Sequence, residues 1–164
     1  MANCYLATAQ RGTAVSFCLT GNFIRQSDVN LLVAKNNHLE VYSLCPEGLR
    51  LLTDINVYGQ ICCCKAFKSP SLDGKDWIFI VTAKYHAMIL ECEVSDGEKF
   101  EIVTRAFGNV SERVGRPRED GILCTIDPSS RNIGLQIYDG YFKLLPIEKD
   151  NKELKAFNMR IEEM

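Results

Sequence analysis

One stretch of this chain returns further along it. The segment NLLVAKNNHLEVYSLCPEGLRLLT, from Asn30 to Thr53, reappears as FIVTAKYHAMILECEVSDGEKFEIVT, from Phe79 to Thr104. Ala34-Lys35 matches Ala83-Lys84, and each pair is followed by a tight turn and then Leu39 or Met88. Tyr58-Gly59 and Phe107-Gly108 close the two copies. A weaker third copy runs from Ile133 through IGLQIYDGYFKLLPIEK to Leu154-Lys155-Ala156-Phe157. One more apolar run precedes each copy: Ala14 to Thr20, Ile61 to Phe67, and Gly121 to Ile126. Each unit therefore reads as four strands, with periods of about 47 and 61 residues, and a repeat of this kind is the mark of stacked supersecondary units.

The runs are rich in β-branched and aromatic residues, as in Trp77-Ile78-Phe79-Ile80-Val81. Asn36-Asn37, Asp73-Gly74, Asp96-Gly97 and Asp139-Gly140 separate them with residues suited to hairpin turns. Helical spacing is nearly absent, although Glu148 to Phe157 fits a helical turn or an exposed loop. The chain is all-β. Four-stranded units at this period describe propeller blades. Inner strands that are apolar on consecutive positions suit sheets covered on both faces. A compact barrel or sandwich is the competing architecture. The propeller reading divides the chain into 1–12 as an N-terminal closing strand (Asn3 to Thr8), 13–59, 60–108 and 121–164 as blades, and 109–120 as an inserted loop. Three blades do not close a ring. The expected result is an open arc, with a third-blade face carrying Ile133, Leu135, Ile137, Phe142 and Leu144 left uncovered.

The net charge of −2 over 164 residues provides no basic stripe for a phosphate backbone. Eight cysteines raise the question of disulfides or metal. Cys62-Cys63-Cys64 is a consecutive run, and strand neighbours point to opposite faces, so Cys62 and Cys64 are expected on one face and Cys63 on the other. No C-x-x-C pair is present, and His38 and His86 lie at no ligand spacing. The expectation is reduced, mostly buried thiols and no metal or cofactor. No nucleophile elbow, P-loop or H-E-x-x-H motif occurs, which points away from an enzyme. His86, in a presumed hairpin turn, reads as a solvated imidazole.

The insertion, GNVSERVGRPRED, is the candidate working surface. Arg113, Arg116 and Arg118 present planar donors suited to carboxylates or phosphates, with Asn109 and Glu112 beside them. The competing reading is a solvated loop whose arginines pair with Glu112, Glu119 and Asp120.

The stretches ANCYLATAQRGTAV, NLLVAKNNHLEVY, FIVTAKYHAMILE, IVTRAFGNV, RVGRP, IDPSSRNIGLQIYDGYFKLLPI and DNKELKAFNMRIEE span nearly the whole chain. Through them it resembles the family of damaged-DNA-binding large subunits, the adaptors of cullin-4 ubiquitin ligases, with cousins in pre-mRNA splicing and polyadenylation. The resemblance implies a seven-bladed propeller, of which this chain supplies the opening. It implies a non-enzymatic interaction scaffold acting in DNA repair and protein turnover, in nucleus and cytoplasm, with the ligase's substrate receptors as partners. The cullin-binding part is expected to lie outside this chain. The alternative it leaves open is direct nucleic-acid binding; no membrane partner is implied.

Overall fold

The computed structural model describes residues 12–161 apart from 72, 96–98, 114 and 149–151. The closing strand expected at Asn3 to Thr8 lies outside the described residues. Among those described, twelve strands form three antiparallel sheets, each in plain sequence order. The first holds β1 (Phe17–Gly21), β2 (Asn30–Lys35), β3 (His38–Cys45) and β4 (Gly48–Asn56). The second holds β5 (Ile61–Lys68), β6 (Asp76–Thr82), β7 (His86–Ser95) and β8 (Lys99–Asn109). The third holds β9 (Leu123–Ile126), β10 (Asn132–Gln136), β11 (Tyr141–Pro146) and β12 (Phe157–Arg160). Strands β1, β5 and β9 approach one another on the inside of the arc. The arrangement is an incomplete propeller whose sheets do not close into a ring.

The repeated turn has a structural counterpart. Asn36 and Tyr85, equivalent in the two copies, both take positive φ, at 46° and 60°. Each carbonyl accepts from the residue where the chain returns after the outer strand: Ile61 N–H to Asn36 at 2.7 Å and Val110 N–H to Tyr85 at 2.9 Å.

Two cores lie between the three sheets. Phe23, Leu32, Leu39 and Val41 of the first sheet region pack with Cys64, Ile78, Ile80, Leu90 and Cys92 of the second. On the second sheet's other face, Cys63, Trp77, Phe79, Val81 and Ile89 pack with Ile133, Leu135, Ile137 and Leu145 of the third. Adjacent residues of β6 thus serve different cores, and all seven are buried. That double burial explains an unbroken apolar run where a half-solvated strand would alternate.

Three expectations change. Cys63 and Cys64 enter opposite cores, but a bulge between Ile61 and Cys63 takes Cys62 out of the alternation. Its sulfur lies 3.8 Å from the Gln60 carbonyl instead of sharing a core with Cys64. Of the seven described cysteines, all free thiols, only Cys63, Cys64 and Cys92 are buried. Ile133, Leu135 and Ile137 are also not on the uncovered face: they are fully buried against the second sheet. Pairing of Ile133 with Leu145 and of Leu135 with Lys143 puts these four on the inner face, because paired residues share a face. The outer face carries Leu123, Phe142, Leu144, Phe157 and Met159.

The segment from Glu148 to Phe157 forms no helix among its described residues. It crosses to the second sheet instead. Phe107 N–H donates to Lys152 O and Leu154 N–H to Phe107 O, each at 2.9 Å, and Leu154 is buried in the shared core. Gly108 permits this crossing, since a Cβ there would come within 2.3 Å of the Leu154 carbonyl oxygen.

Candidate functional site

The insertion is fastened at both ends. At its start, Val110 is 1% exposed in the core between the second and third sheets, and Asn109 Oδ1 accepts from Ser111 N–H at 2.8 Å. At its end, Pro117 bridges Tyr138, Asp139 N–H donates to Arg116 O at 2.9 Å, and Arg118 N–H donates to Ile137 O at 3.0 Å. Residues 116–118 therefore lie as a short added strand beside 137–139. Gly115 sits where a Cβ would meet the Tyr138 ring at 2.8 Å, so a residue without a side chain lets the strap lie flat.

Between these ends a buried cation holds the strap down. Lys143, on β11, is 1% exposed. Its Nζ donates to Glu112 Oε1 at 2.5 Å and to Asn158 Oδ1 at 2.7 Å. Asn158 Nδ2 donates to the same Glu112 oxygen at 2.8 Å. The ammonium stands 5.8 Å from the Tyr138 ring centroid, and the Tyr138 hydroxyl accepts from Glu112 N–H at 3.0 Å. The Lys143 hydrogen bond, aided by that of Asn158, holds the Glu112 carboxyl below its ordinary range. Glu112 thus faces a lysine, whereas the solvated-loop reading paired it with an arginine.

The three arginines differ. Arg113 is exposed and makes no ion pair among the described residues. Arg116 is exposed and paired with Glu119 at 2.5 Å, with Asp139 at 3.9 Å. Arg118 is only 19% exposed and reaches Asp120 at 3.5 Å. Its Nε is buried with no hydrogen-bond partner among the described residues. Lys143, Tyr138 and Asn158 escaped the sequence reading. Lys143 lies at the inward phase of β11, a position that demands a partner once buried, but its pairing with β10, not a local sequence signal, sets that phase. His86, read as solvated, stacks on Phe107 with ring centroids 5.4 Å apart, and its Nδ1 is buried without a partner. Among the described residues no three His, Cys, Asp or Glu side chains gather as metal ligands.

The family model described as RSE1/DDB1/CPSF1 first beta-propeller matches residues 14–164. The chain is 45% identical over its whole length to DNA damage-binding protein 1 of Drosophila melanogaster, covering 14% of that protein. It is 41% identical over 98% of its length to DNA damage-binding protein 1 of Oryza sativa subsp. japonica, again covering 14%. The Arabidopsis thaliana DNA damage-binding protein 1b is 39% identical over the same share. The chain thus spans about a seventh of the length of the curated relatives it matches.

Proposed function

The chain belongs to the RSE1/DDB1/CPSF1 first beta-propeller family, and from that premise we propose that it is a non-enzymatic protein-interaction scaffold. The observation that carries this reading is the likeness to DNA damage-binding protein 1, which runs through the whole chain. In its finer form, the scaffold belongs to an adaptor that joins substrate receptors to a cullin-4 RING ubiquitin ligase, acting in nucleus and cytoplasm. The docking edge is the strap of residues 109–120. A strap tied at Val110 and at 116–118 presents Arg113 and Arg116 from a fixed backbone, so little ordering is lost when a partner binds.

The test is receptor binding by the Arg113→Ala, Arg116→Ala double variant, measured with immobilised candidate receptors beside a thermal melt. A tenfold or greater loss of binding with an unchanged melt supports the reading, and unchanged binding across the panel refutes the edge. The names of the relatives suggest a second reading, direct DNA binding. That reading requires affinity to fall steeply with salt, in proportion to the phosphates neutralised. With a net charge of −2, we expect weak binding and a shallow slope.

A further inference from the structure

Beyond the exposed strap arginines, we propose that Arg118 and Arg160 form a binding site for the carboxylates of an acidic peptide segment. The proposal rests on the docking reading above and moves its chemical focus away from Arg113 and Arg116. A cleft of about 930 Å³ opens where the β10–β11 turn meets the end of β12. Arg118, Arg160, Gln136, Tyr141, Asp139 and Ile161 line it.

The charges decide which arginines are available. Arg116 is answered by Glu119 and Asp139. Arg118 has one long contact, 3.5 Å to an Asp120 side chain that is 87% exposed. Its Nε is enclosed and has no hydrogen-bond partner among the described residues. Arg160 makes no ion pair among the described residues. Among the described residues, two guanidinium groups thus line one cleft with a single 3.5 Å ion pair between them and any carboxylate.

The chemistry of the cleft selects the ligand. Guanidinium forks match planar carboxylates through paired N–H···O bonds. Asp139 in the same wall, with Glu119 and Asp120 beside it, opposes the compact double charge of a phosphate more than single charges spread over two carboxylates. Tyr141 and Ile161, 40% and 44% exposed, add apolar wall that a free ion does not use and a peptide does. Gln136 offers an amide to a peptide backbone.

The test is fluorescence anisotropy with a fluorescein-labelled Gly-Ser peptide carrying two adjacent glutamates, titrated with the full chain at fixed ionic strength. We expect saturable binding, with the glutamine version of the peptide at least tenfold weaker. Arg160→Gln, at an exposed position, and Arg118→Lys, which keeps the charge, each weaken binding about tenfold, while Arg25→Gln, an exposed arginine outside strap and cleft, changes it less than twofold. Three results overturn the site: no saturable binding by the unsubstituted chain, an equal loss in Arg25→Gln, or tighter binding of a phosphoserine peptide than of the glutamate peptide. The docking reading fails separately. Peptide binding that persists alongside unchanged receptor binding in the Arg113→Ala, Arg116→Ala variant refutes only that reading, and lost receptor binding without peptide binding refutes only this site.

Discussion

The second and third sheets share a strand order and descend from the same repeat, yet β6 is buried along its whole length while its counterpart β10 is only half-buried at both ends. The second sheet has a neighbour on each face, and its residues alternate between two cores. Among the described residues, the third has a neighbour on one face only. Its inner face holds Ile133, Leu135 and Leu145, all fully buried, while Leu123, Phe157 and Met159 on the outer face remain 46–59% exposed. In a stacked architecture, the worth of an apolar side chain is set by what lies across from it more than by its own sheet. The unfilled face is also an apolar liability, since an exposed patch and an open sheet edge invite association.

The sharpest way to break this comparison is to delete one aromatic ring from each sheet. Phe79 is 0% exposed in the core between second and third sheets. Phe79→Ala should lose about 3–5 kcal/mol, the range for large-to-small changes in a closed core. Phe142 lies on the open face and only covers Gly134, with a ring atom 2.3 Å from where a Cβ would stand. Phe142→Ala should lose about 1 kcal/mol or less, as at a site with water already on one side. Urea unfolding measures both, and equal losses would mean that the third sheet's outer face is covered in solution.

The next effect concerns the strap. Glu112→Gln removes the anionic partner of a lysine that is 1% exposed. Breaking a fully buried pair loses about 3–5 kcal/mol. The Glu112 side chain is 38% exposed, so roughly 2 kcal/mol is the reasonable figure here. Lys143→Met, which removes the charge and keeps the volume, should be milder than Glu112→Gln. The opposite order would show that the pair contributes net stability rather than satisfying a buried charge.

Acid offers a gentler probe of the same contact. The Glu112 pKa in the folded chain lies below its ordinary value of 4.5, chiefly through the Lys143 hydrogen bond and then that of Asn158. A carboxyl with a depressed folded pKa binds more protons in the unfolded state. Its contribution is therefore fully present above pH 4.5 and fades as the pH falls through the folded value. Stability measured from pH 6 downward should fall less steeply in Glu112→Gln than in the unsubstituted chain. Parallel curves would mean that the carboxyl is already free of Lys143 in solution.

How legible was all this in the sequence? The strands were, because the repeat locks their spacing and because Ile78 and Phe79 can be adjacent and apolar only where each meets its own core. The phase of a strand was not. Nothing local says whether Ile133 or Gly134 faces inward, and the register with β11 decides it. The bulge at Cys62 was hidden for a related reason, since alternation presumes an unbroken pleat. The site was legible as a segment but not as an arrangement. Glu112 and Lys143 are 31 residues apart, and no short-range pattern joins them. Arg113, Arg116 and Arg118 look alike in sequence, yet only Arg118 has a largely buried side chain.

The smallest expected effect involves no loss of stability and reads the two cores through their thiols. Cys64 and Cys92 lie in the core between the first and second sheets, at 1% and 0% exposure, and burial pushes both thiols up to about 12. The reactive species is the thiolate, so at neutral pH these two are protected by access and by protonation together. Cys18, on β1, is exposed and has no protection by burial. Cys124, on β9, is half-buried at the margin of the second core. It too is held above its ordinary range, first by its hydrogen bond to Cys63 and then by burial. Maleimide labelling followed by peptide mapping should therefore modify Cys18 within minutes, Cys124 more slowly, and Cys64 and Cys92 only when the chain unfolds. Adding low urea sharpens the comparison. If the third sheet is the less secured of the two, Cys124 should gain reactivity before Cys64 and Cys92 do. Simultaneous exposure of all three would show that the sheets unfold as one cooperative unit despite their unequal burial.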